Sequence, residues 1–216
     1  MNLINVANRH VVPRGSENQA VWDGVRQGHY EVWFLTFNSP AERVGFWLRY
    51  TFDAPSHGEP IGELWGHFFD GKDPDKRFGL RKRVPRAGFS VGGDSIIRIG
   101  EARLTEDAAI GSLEGNGHSI SWDLTHDRSS TAVFLGPAWL RPILERKRTD
   151  YRAPNIDIRY RGRVVVDGRT FELESAPGEQ VHLVGLKHQN SWTWLHCNCF
   201  DHGRSAVVEI ATSSLP

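Results

Sequence analysis

The sequence holds little that could cross-link the chain. Its 216 residues include only two cysteines, Cys197 and Cys199. They lie two apart in a predicted strand, where both side chains share a face but the backbone geometry disfavours a bond between them. A chain of this length can bury a core without disulfides. We therefore expect reduced thiols and a cytoplasmic location.

Surplus charge and long apolar runs are also missing. Lys and Arg together number 26, as do Asp and Glu, so the formal net charge is zero. No long-range field then favours nucleic acid or an anionic membrane surface. The apolar stretches are interrupted within a few residues by charged side chains, far short of the ~20 residues of a spanning helix. The first residues do not show the pattern of a secretory signal. We expect no nucleic-acid partner and no membrane span.

Aromatic residues and glycine are abundant, with eight Trp, eleven Phe and 22 Gly. This composition favours pleated strands joined by tight turns. Strands are predicted over 29–37, 45–53, 61–70, 95–99, 108–114, 118–126, 158–166, 169–174, 180–186, 192–200 and 206–211. Gly-Asn-Gly at 115–117 and Asp-Gly at 167–168 predict hairpin turns.

The strand pattern predicts an all-β protein with one antiparallel barrel over residues 29–216, after an N-terminal extension over 1–28. The segment 71–88 is charged and rich in Pro and Gly, so we predict a solvated loop there. The segment 134–144 carries two prolines in an aromatic and aliphatic context, which suits a segment that covers one end of the barrel.

Three predicted strands each combine aromatic and ionisable side chains on one face, because alternate residues of a strand share a face. A purely structural core seldom places Glu or His beside Trp unless these groups are paired. One interpretation is a shared ligand cavity inside the barrel, and the other is an ordinary core with the polar groups at a solvated barrel mouth. The three faces are His29, Glu31, Trp33, Leu35 and Phe37; Glu63, Trp65, His67 and Phe69; and Trp192, Trp194, His196, Asn198 and Phe200.

Several kinds of chemistry lack their motifs. There is no GxSxG nucleophile motif and no phosphate-binding loop. His and Cys are frequent near the C-terminus, but their spacing matches no standard zinc module. We therefore predict neither a metal site nor a cofactor.

The segment GEQVHLVGLKHQNSWTWLHCNCF at 178–200 resembles the pattern Q-x-H-x-x-G-x-x-H-x-x-x-W-x-W-x-H-C-N-x-F. That pattern belongs to the superfamily of tocopherol cyclase, carotenoid 1,2-hydratase (hydroxyneurosporene synthase) and AttH-like proteins. The pieces YEVWFLTFNSP, GFWLRYTF, GELWGHFFD, ISWDL and RGRVVVDG precede it in the expected order. The matching residues are Gln180, His182, Gly185, His188, Trp192, Trp194, His196, Cys197, Asn198 and Phe200.

The resemblance implies a lipocalin-like (calycin) β-barrel and, in enzyme members, cofactor-free cyclisation or hydration of long isoprenoid or polyketide-like substrates. Two features depart from the family pattern. Val184 stands where a Trp is expected, and members usually carry a second, related barrel after this segment. The resemblance therefore implies either an N-terminal half of a two-barrel protein or a one-barrel member whose pocket is incomplete. No catalytic acid of the family maps onto a position here.

Three functions are open at this point: a cyclase or hydratase, a non-catalytic carrier of a small hydrophobic ligand, and a half-domain that needs a second barrel or another copy of itself. We expect Trp194, His196 and Asn198 to face the same cavity as Trp65 and His67. The acid–base candidates are Glu31, Glu63, His67, His182, His188 and His196, and the ligand-binding candidates are Trp33, Trp65, Trp192, Trp194, Asn198 and Phe200.

Overall fold

The computed structural model describes residues 17–129, 132–134, 149–186, 191–200 and 206–213. Within these ranges nearly all regular structure is β, and the helical part is two short 3-10 turns, Pro74–Lys76 and Arg86–Gly88. No helix in the described ranges is long and apolar enough to cross a membrane. The strands are β1 His29–Ser39, β2 Val44–Ala54, β3 Ile61–Asp70, β4 Phe78–Pro85, β5 Phe89–Val91, β6 Ile97–Ile99, β7 Ala102–Leu104, β8 Ala108–Gly115, β9 His118–His126, β10 Val133–Phe134, β11 Thr149–Val166, β12 Arg169–Gly185, β13 Trp192–Cys197 and β14 Val208–Ser213.

Twelve of the strands form one antiparallel sheet, in the order β4-β3-β2-β1-β12-β11-β9-β8-β7-β6-β5, with β10 beside β11. The sheet curls until β3 and β4 contact β6 and β8, which nearly closes a barrel. The all-β, antiparallel-barrel prediction is therefore confirmed. Strands β13 and β14 form a separate two-stranded sheet, here called the ribbon.

The barrel is filled by its own side chains. Trp33, Tyr50, Phe52 and Trp122 are all buried in one continuous core. Gly66 on β3 points inward, where an added Cβ would lie 3.0 Å from Ile120 Cγ2, so the absence of a side chain lets opposite walls approach closely. The interior is thus a packed core, as in other small barrels whose side chains fill the lumen.

A second apolar cluster lies on the outside of the barrel. Tyr30, Val32 and Phe34 alternate with the inward residues of β1 and are buried all the same. The ribbon covers this face, since Trp194 packs against the cluster. The outer wall of β1 therefore has a partner layer, which explains why almost every residue of β1 is buried.

Most turns follow the sequence prediction. Asn116 and Gly117 have φ values of 54° and 80°, and Asp167 and Gly168 have 49° and 81°. Two consecutive positive φ values are the requirement of a type I′ hairpin, which Asn-Gly and Asp-Gly satisfy at low cost. Both predicted hairpins are confirmed.

The predicted solvated loop over 71–88 is wrong in its second half, where β4 forms. Leu80 and Val84 point into the core, while Arg81 and Arg83 are exposed. Because β4 is the end strand of the sheet path, its charged face meets water and discourages further pairing. The strands predicted at 169–174 and 180–186 are parts of the single strand β12, whose pairing with β11 contains register shifts. Of the predicted covering segment 134–144, all but its first residue lies outside the described ranges.

Candidate ligand pocket and buried acid cluster

The three aromatic and ionisable faces do not meet in one cavity inside the barrel, so that interpretation is wrong. Glu31 pairs with Phe52, which pairs with Gly62, and all three point inward. Glu63 pairs with Thr51 and so lies on the outer face. Alternation sorts a strand into two faces but leaves open which one is buried inside. In β3 the inward face is set by Leu64, Phe68 and two glycines.

Glu31 sits at the centre of a closed hydrogen-bond network inside the barrel. Its carboxylate accepts hydrogen bonds from the backbone N–H of Trp22 (2.7 Å), His29 Nε2 (2.8 Å) and His182 Nε2 (2.9 Å). Burial alone would raise the pKa of Glu31, but the hydrogen bonds from His182 and His29 and from the Val21 backbone outweigh it and lower the pKa to about 2. Glu31 is therefore a carboxylate at neutral pH and a poor proton donor.

The imidazole of His182 has a stacking partner and hydrogen-bond partners at both ring nitrogens. Its ring stacks on Trp33 with centroids 4.5 Å apart, and its Nδ1 lies 2.9 Å from the carbonyl oxygen of Glu17. Trp33 Nε1 donates to the carbonyl of Asn18 at 2.9 Å. These contacts bind residues 17–22 to β1 and β12, and they leave Glu31, His182 and Trp33 with no exposed surface. The group fits a structural role that fastens the start of the described chain to the barrel.

The outer wall carries a cavity of about 200 Å³ between the barrel and the ribbon, which we call the wall–ribbon pocket. Cross-strand pairing brings its floor together, because Tyr151, Leu183 and Val32 are consecutive partners on three neighbouring strands. The ribbon supplies the roof. The described lining residues are Tyr30, Val32, Phe34, Trp47, Arg49, Thr149, Tyr151, Leu183, Trp192, Thr193, Trp194, Ala211 and Thr212.

Six of the thirteen described residues that line the pocket are aromatic. The Trp194 ring meets Phe34 edge-on with centroids 5.5 Å apart, and Phe34 and Trp47 lie 6.2 Å apart. Trp192 is 61 % exposed and stands at the rim. Such rings offer wide, rigid apolar contact at small entropic cost, which suits a hydrophobic ligand.

A buried acid cluster adjoins the pocket. His196 Nδ1 lies 2.8 Å from Glu209 Oε2 and 3.2 Å from Glu179 Oε2. The Tyr151 hydroxyl donates to Glu209, and Trp194 Nε1 donates to the same carboxylate at 2.9 Å. Tyr151 and Trp194 also line the pocket, so the cluster reaches the pocket through these two side chains.

Glu179 is the most unusual member of the cluster. It has no exposed surface, and neither of its carboxyl oxygens accepts a hydrogen bond from a described residue. Burial, reinforced by the neighbouring Glu209 carboxylate, raises the pKa of Glu179 well above its usual range. Burial, together with the charges of Glu179 and Glu209, also raises the pKa of Tyr151. Two buried carboxyl groups this close cannot both ionise cheaply, so at neutral pH the pair holds a proton.

The same three groups are the described set that could hold a metal ion, since one donor atom of each lies within 4.8 Å of the others. The 2.8 Å separation of His196 Nδ1 and Glu209 Oε2 is a direct hydrogen-bond distance. Two ligands of a tetrahedral zinc ion with bonds of about 2.0 Å would stand ~3.3 Å apart. The described spacing thus fits direct hydrogen bonding between His196 and Glu209.

Some predicted site residues lie elsewhere on the outer wall. Trp65 and His67 are on the side of the sheet that the ribbon covers, but neither lines the wall–ribbon pocket. Glu63 forms ion pairs with Arg83 and, at 4.0 Å, with Arg81. Burial, together with the charge of Arg49, lowers the pKa of His67.

The end of the ribbon is fixed by Asn198, whose Nδ2 donates to the carbonyl of Gly178 and to Asp157, both at 2.9 Å. Asn198 therefore has a positioning role. Phe200 is 41 % exposed and does not line the pocket. The candidate His188 lies outside the described residues.

Sequence reasoning missed Glu179, Glu209 and Tyr151. A signal for Glu209 was present, because it interrupts the apolar run Val208-Glu209-Ile210 at the position that pairs with His196. Glu179 lies one residue before Gln180, where the family-like pattern begins. Its burial beside the His196 and Glu209 side chains depends on how the ribbon packs against β12, which a sequence pattern does not show.

Comparison with known proteins gives relatives without an assigned function. No protein-family model matches the chain. Two uncharacterized proteins of Mycobacterium tuberculosis, Rv0493c and MT0513, are each 27 % identical over 199 residues, which cover 89 % of this chain and 55 % of theirs. The crystal structure of an AttH candidate from Nitrosomonas europaea has a TM-score of 0.47 and 14 % identity, covering 79 % of this chain and 57 % of that one. The chain thus spans about half the length of the curated relatives it matches.

Proposed function

We propose that the chain binds a small hydrophobic molecule, of isoprenoid or polyketide type, in the wall–ribbon pocket. The observation that carries the proposal is the cavity of about 200 Å³ whose described lining is aromatic and aliphatic apart from three threonines and a single charged residue, Arg49. An apolar cavity with few polar groups is the usual form of a small-molecule site. The packed barrel interior favours this outer location over the lumen.

A fluorescence titration with farnesol tests the proposal. Trp194 and Trp47 line the pocket, so a bound ligand should change tryptophan emission and the change should saturate. Trp194→Ala removes one wall and should weaken binding at least about tenfold, given the ~1.5–3 kcal/mol of a buried aromatic contact. Phe200→Ala is the matched control, because Phe200 is aromatic, close in sequence and outside the pocket.

Circular dichroism of each variant shows whether it is folded. Should Trp194→Ala fail to fold, Trp194→Leu keeps most of the apolar volume and should still lower the affinity. Absence of a saturable change across farnesol, longer isoprenoid alcohols and aromatic polyketides, with folded wild-type protein, would contradict the proposal.

The buried acid cluster favours a second candidate, cofactor-free cyclisation or hydration of the bound molecule. In this reaction the proton held by Glu179 and Glu209 passes through the Tyr151 hydroxyl to an alkene carbon of the ligand, so one C–H bond forms as one O–H bond breaks. In hydration, water adds to the carbocation and the oxonium ion loses a proton; in cyclisation, a second double bond adds to form a ring and a new carbocation, which loses a proton from a neighbouring carbon. In both cases the proton released returns to the carboxylate pair. The indole faces of Trp194 and Trp47 support the cation meanwhile.

Mass spectrometry of reactions in D₂O tests this candidate. Each turnover should place one deuterium on carbon, and hydration should also add the mass of one water. Glu209→Gln should keep the affinity and lower turnover by roughly 10²–10⁴-fold, as expected for a lost proton donor. Glu63→Gln is the control, since Glu63 lies on the same outer wall but does not line the pocket. A chelator should leave the rate unchanged, and unchanged turnover in Glu209→Gln would exclude the cluster as the acid.

The ribbon turns a second, apolar face away from the barrel. Leu195, Val208 and Ile210 are all exposed on this face. Because the alignment covers only 55 % of each curated relative, we infer that the face contacts a second barrel domain of a longer protein. In this arrangement the 29–216 barrel unit supplies the pocket, and the second domain covers its roof.

A further inference from the structure

We propose that the ligand of the wall–ribbon pocket carries an uncharged, hydroxyl-rich end, of the kind that a sugar ring provides, and that this end binds in a second cavity beside the pocket. The inference rests on the proposed ligand-binding function and specifies its ligand class, a glycoside of an apolar alcohol. The second cavity measures about 350 Å³. Its described lining is Arg49, Thr51, Asp53, Ile61, Glu63, Trp65, Arg83 and Trp192.

Strand pairing places the second cavity on the outer face of β2, β3 and β4. Thr51 pairs with Glu63 on β3, and Glu63 pairs with Arg83 on β4, so the three residues form one row across the sheet. Asp53 lies two residues after Thr51 and therefore on the same face. Trp192, at the start of the ribbon, lines both this cavity and the wall–ribbon pocket. One amphipathic molecule can thus occupy both cavities, with its apolar body under the ribbon.

The second cavity offers a hydrogen-bond acceptor and hydrogen-bond donors side by side. The partly buried Asp53 carboxylate forms no hydrogen bond or ion pair with any residue that the structure describes. The Arg83 Nε–H donates to Glu63, and among the described residues the terminal amino groups of Arg83 have no partner. A hydroxyl group both donates and accepts, so it can donate to the Asp53 carboxylate or accept from the Arg83 guanidinium. A ring with several neighbouring hydroxyls can make both contacts at once.

The charges of the lining disfavour a charged end and a purely apolar end. Burial and the nearby Glu63 carboxylate raise the pKa of Asp53, and Arg83 opposes this. An anionic ligand end would meet the same repulsion from Asp53 and Glu63, and a cationic end would meet Arg49 and Arg83. An apolar end would cover the Asp53 carboxylate without pairing it, which is costly. An uncharged hydroxyl avoids all three penalties.

The indole of Trp192 supplies a flat surface for the apolar face of a sugar ring. Trp192 is 61 % exposed. The Trp65 ring, by contrast, is covered by the guanidinium groups of Arg81 and Arg49, whose central carbons lie 4.8 Å and 5.5 Å from its centroid. An aromatic ring packs against the C–H face of a sugar while the sugar hydroxyls reach polar groups beyond the ring edge. Trp192 is therefore the ring at which the sugar and the apolar body of one molecule meet.

Titration of tryptophan emission with farnesyl β-glucoside and with farnesol tests the proposal. Wild-type protein should bind the glucoside more tightly. Asp53→Asn keeps the shape of the side chain but removes its charge, so it should weaken glucoside binding about tenfold while changing farnesol affinity less than about threefold. Asp123→Asn is the matched control, because Asp123 is an exposed strand residue that lines neither cavity. Its affinities for both ligands should match wild type.

Farnesylamine and farnesyl phosphate extend the titration to charged ends. Both should bind wild-type protein more weakly than the glucoside, because each meets side chains of its own sign in the second cavity. Tighter binding of either charged ligand than of the glucoside would overturn the assignment of an uncharged end.

The outcomes separate this inference from the function on which it rests. If folded wild-type protein binds neither farnesol nor the glucoside, the pocket proposal fails and this inference with it. If farnesol binds and the glucoside binds no more tightly, the pocket proposal stands and the preference for a sugar is overturned. If the glucoside binds more tightly but Asp53→Asn weakens both ligands equally, or neither, the second cavity is not the site of the sugar. Should Asp53→Asn not fold, Arg83→Gln removes the donors instead, and the same selective loss of glucoside affinity is expected.

Discussion

Replacing Glu31 by Gln should remove a large part of the stability of the barrel. The pKa of this carboxyl is held at about 2 in the folded chain, against an ordinary value of 4.5. A tenfold change in an acid constant corresponds to about 1.4 kcal/mol, so ionised Glu31 contributes about 3 kcal/mol. Because the folded pKa is the lower one, this stability is present above pH 4.5 and is lost as the pH falls towards 2.

Urea unfolding at several pH values measures both parts of this expectation. Glu31→Gln should lower the free energy of unfolding by about 3 kcal/mol at pH 7, and the wild type should lose about 2 kcal/mol of this contribution by pH 3. Glu172→Gln, an exposed Glu on the same strand as His182, is the control and should change the stability little. If Glu31→Gln unfolds at the wild-type urea concentration at pH 7, the network around Glu31 does not stabilise the fold as argued.

Three shorter predictions concern other regions. Since the pKa of Glu179 is raised, its protonated form favours folding and that stability is lost as the pH rises above 4.5, so Glu179→Gln should be more resistant than wild type to urea at about pH 9. Gly66→Val should cost roughly 1–3 kcal/mol in a thermal or urea unfolding experiment, because its Cβ would lie 3.0 Å from Ile120 in a packed interior. Leu195→Lys with Ile210→Lys should leave folding and ligand affinity intact but weaken association with a co-expressed second domain; unchanged association would contradict the contact we infer.

The strands and tight turns were predictable because their signals are local. Asn116-Gly117 and Asp167-Gly168 adopt the positive φ values that their residue types favour, and β1 to β3 follow runs of aromatic residues. The edge strand β4 was missed because its exposed arginines and lysine hide an inward pair, Leu80 and Val84. Charge on one face of a strand reports exposure, and it does not exclude pairing.

The site was harder to predict because its parts come from distant strands. Sequence patterns grouped Trp194 and Trp192 with Glu31 and Trp33 in one cavity, whereas Trp194 and Trp192 line the wall–ribbon pocket and Glu31 and Trp33 lie on the other side of the β1 wall. That assignment depends on how the sheet curls and on which face the ribbon covers, and both are tertiary properties.

The attachment of His182 to Glu31 also bears on how the chain can fold during synthesis. The two residues are 151 positions apart, and β1 pairs with β12 along most of its length. During synthesis β1, β2 and β3 therefore emerge from the ribosome long before β12, the second partner strand of β1. Until β12 emerges, the Glu31 carboxylate lacks the hydrogen bond from His182. Contacts this remote along the chain slow folding and leave strand edges open in the meantime. We expect the nascent chain to need protection until β12 has emerged, and truncated chains that stop before residue 180 to aggregate.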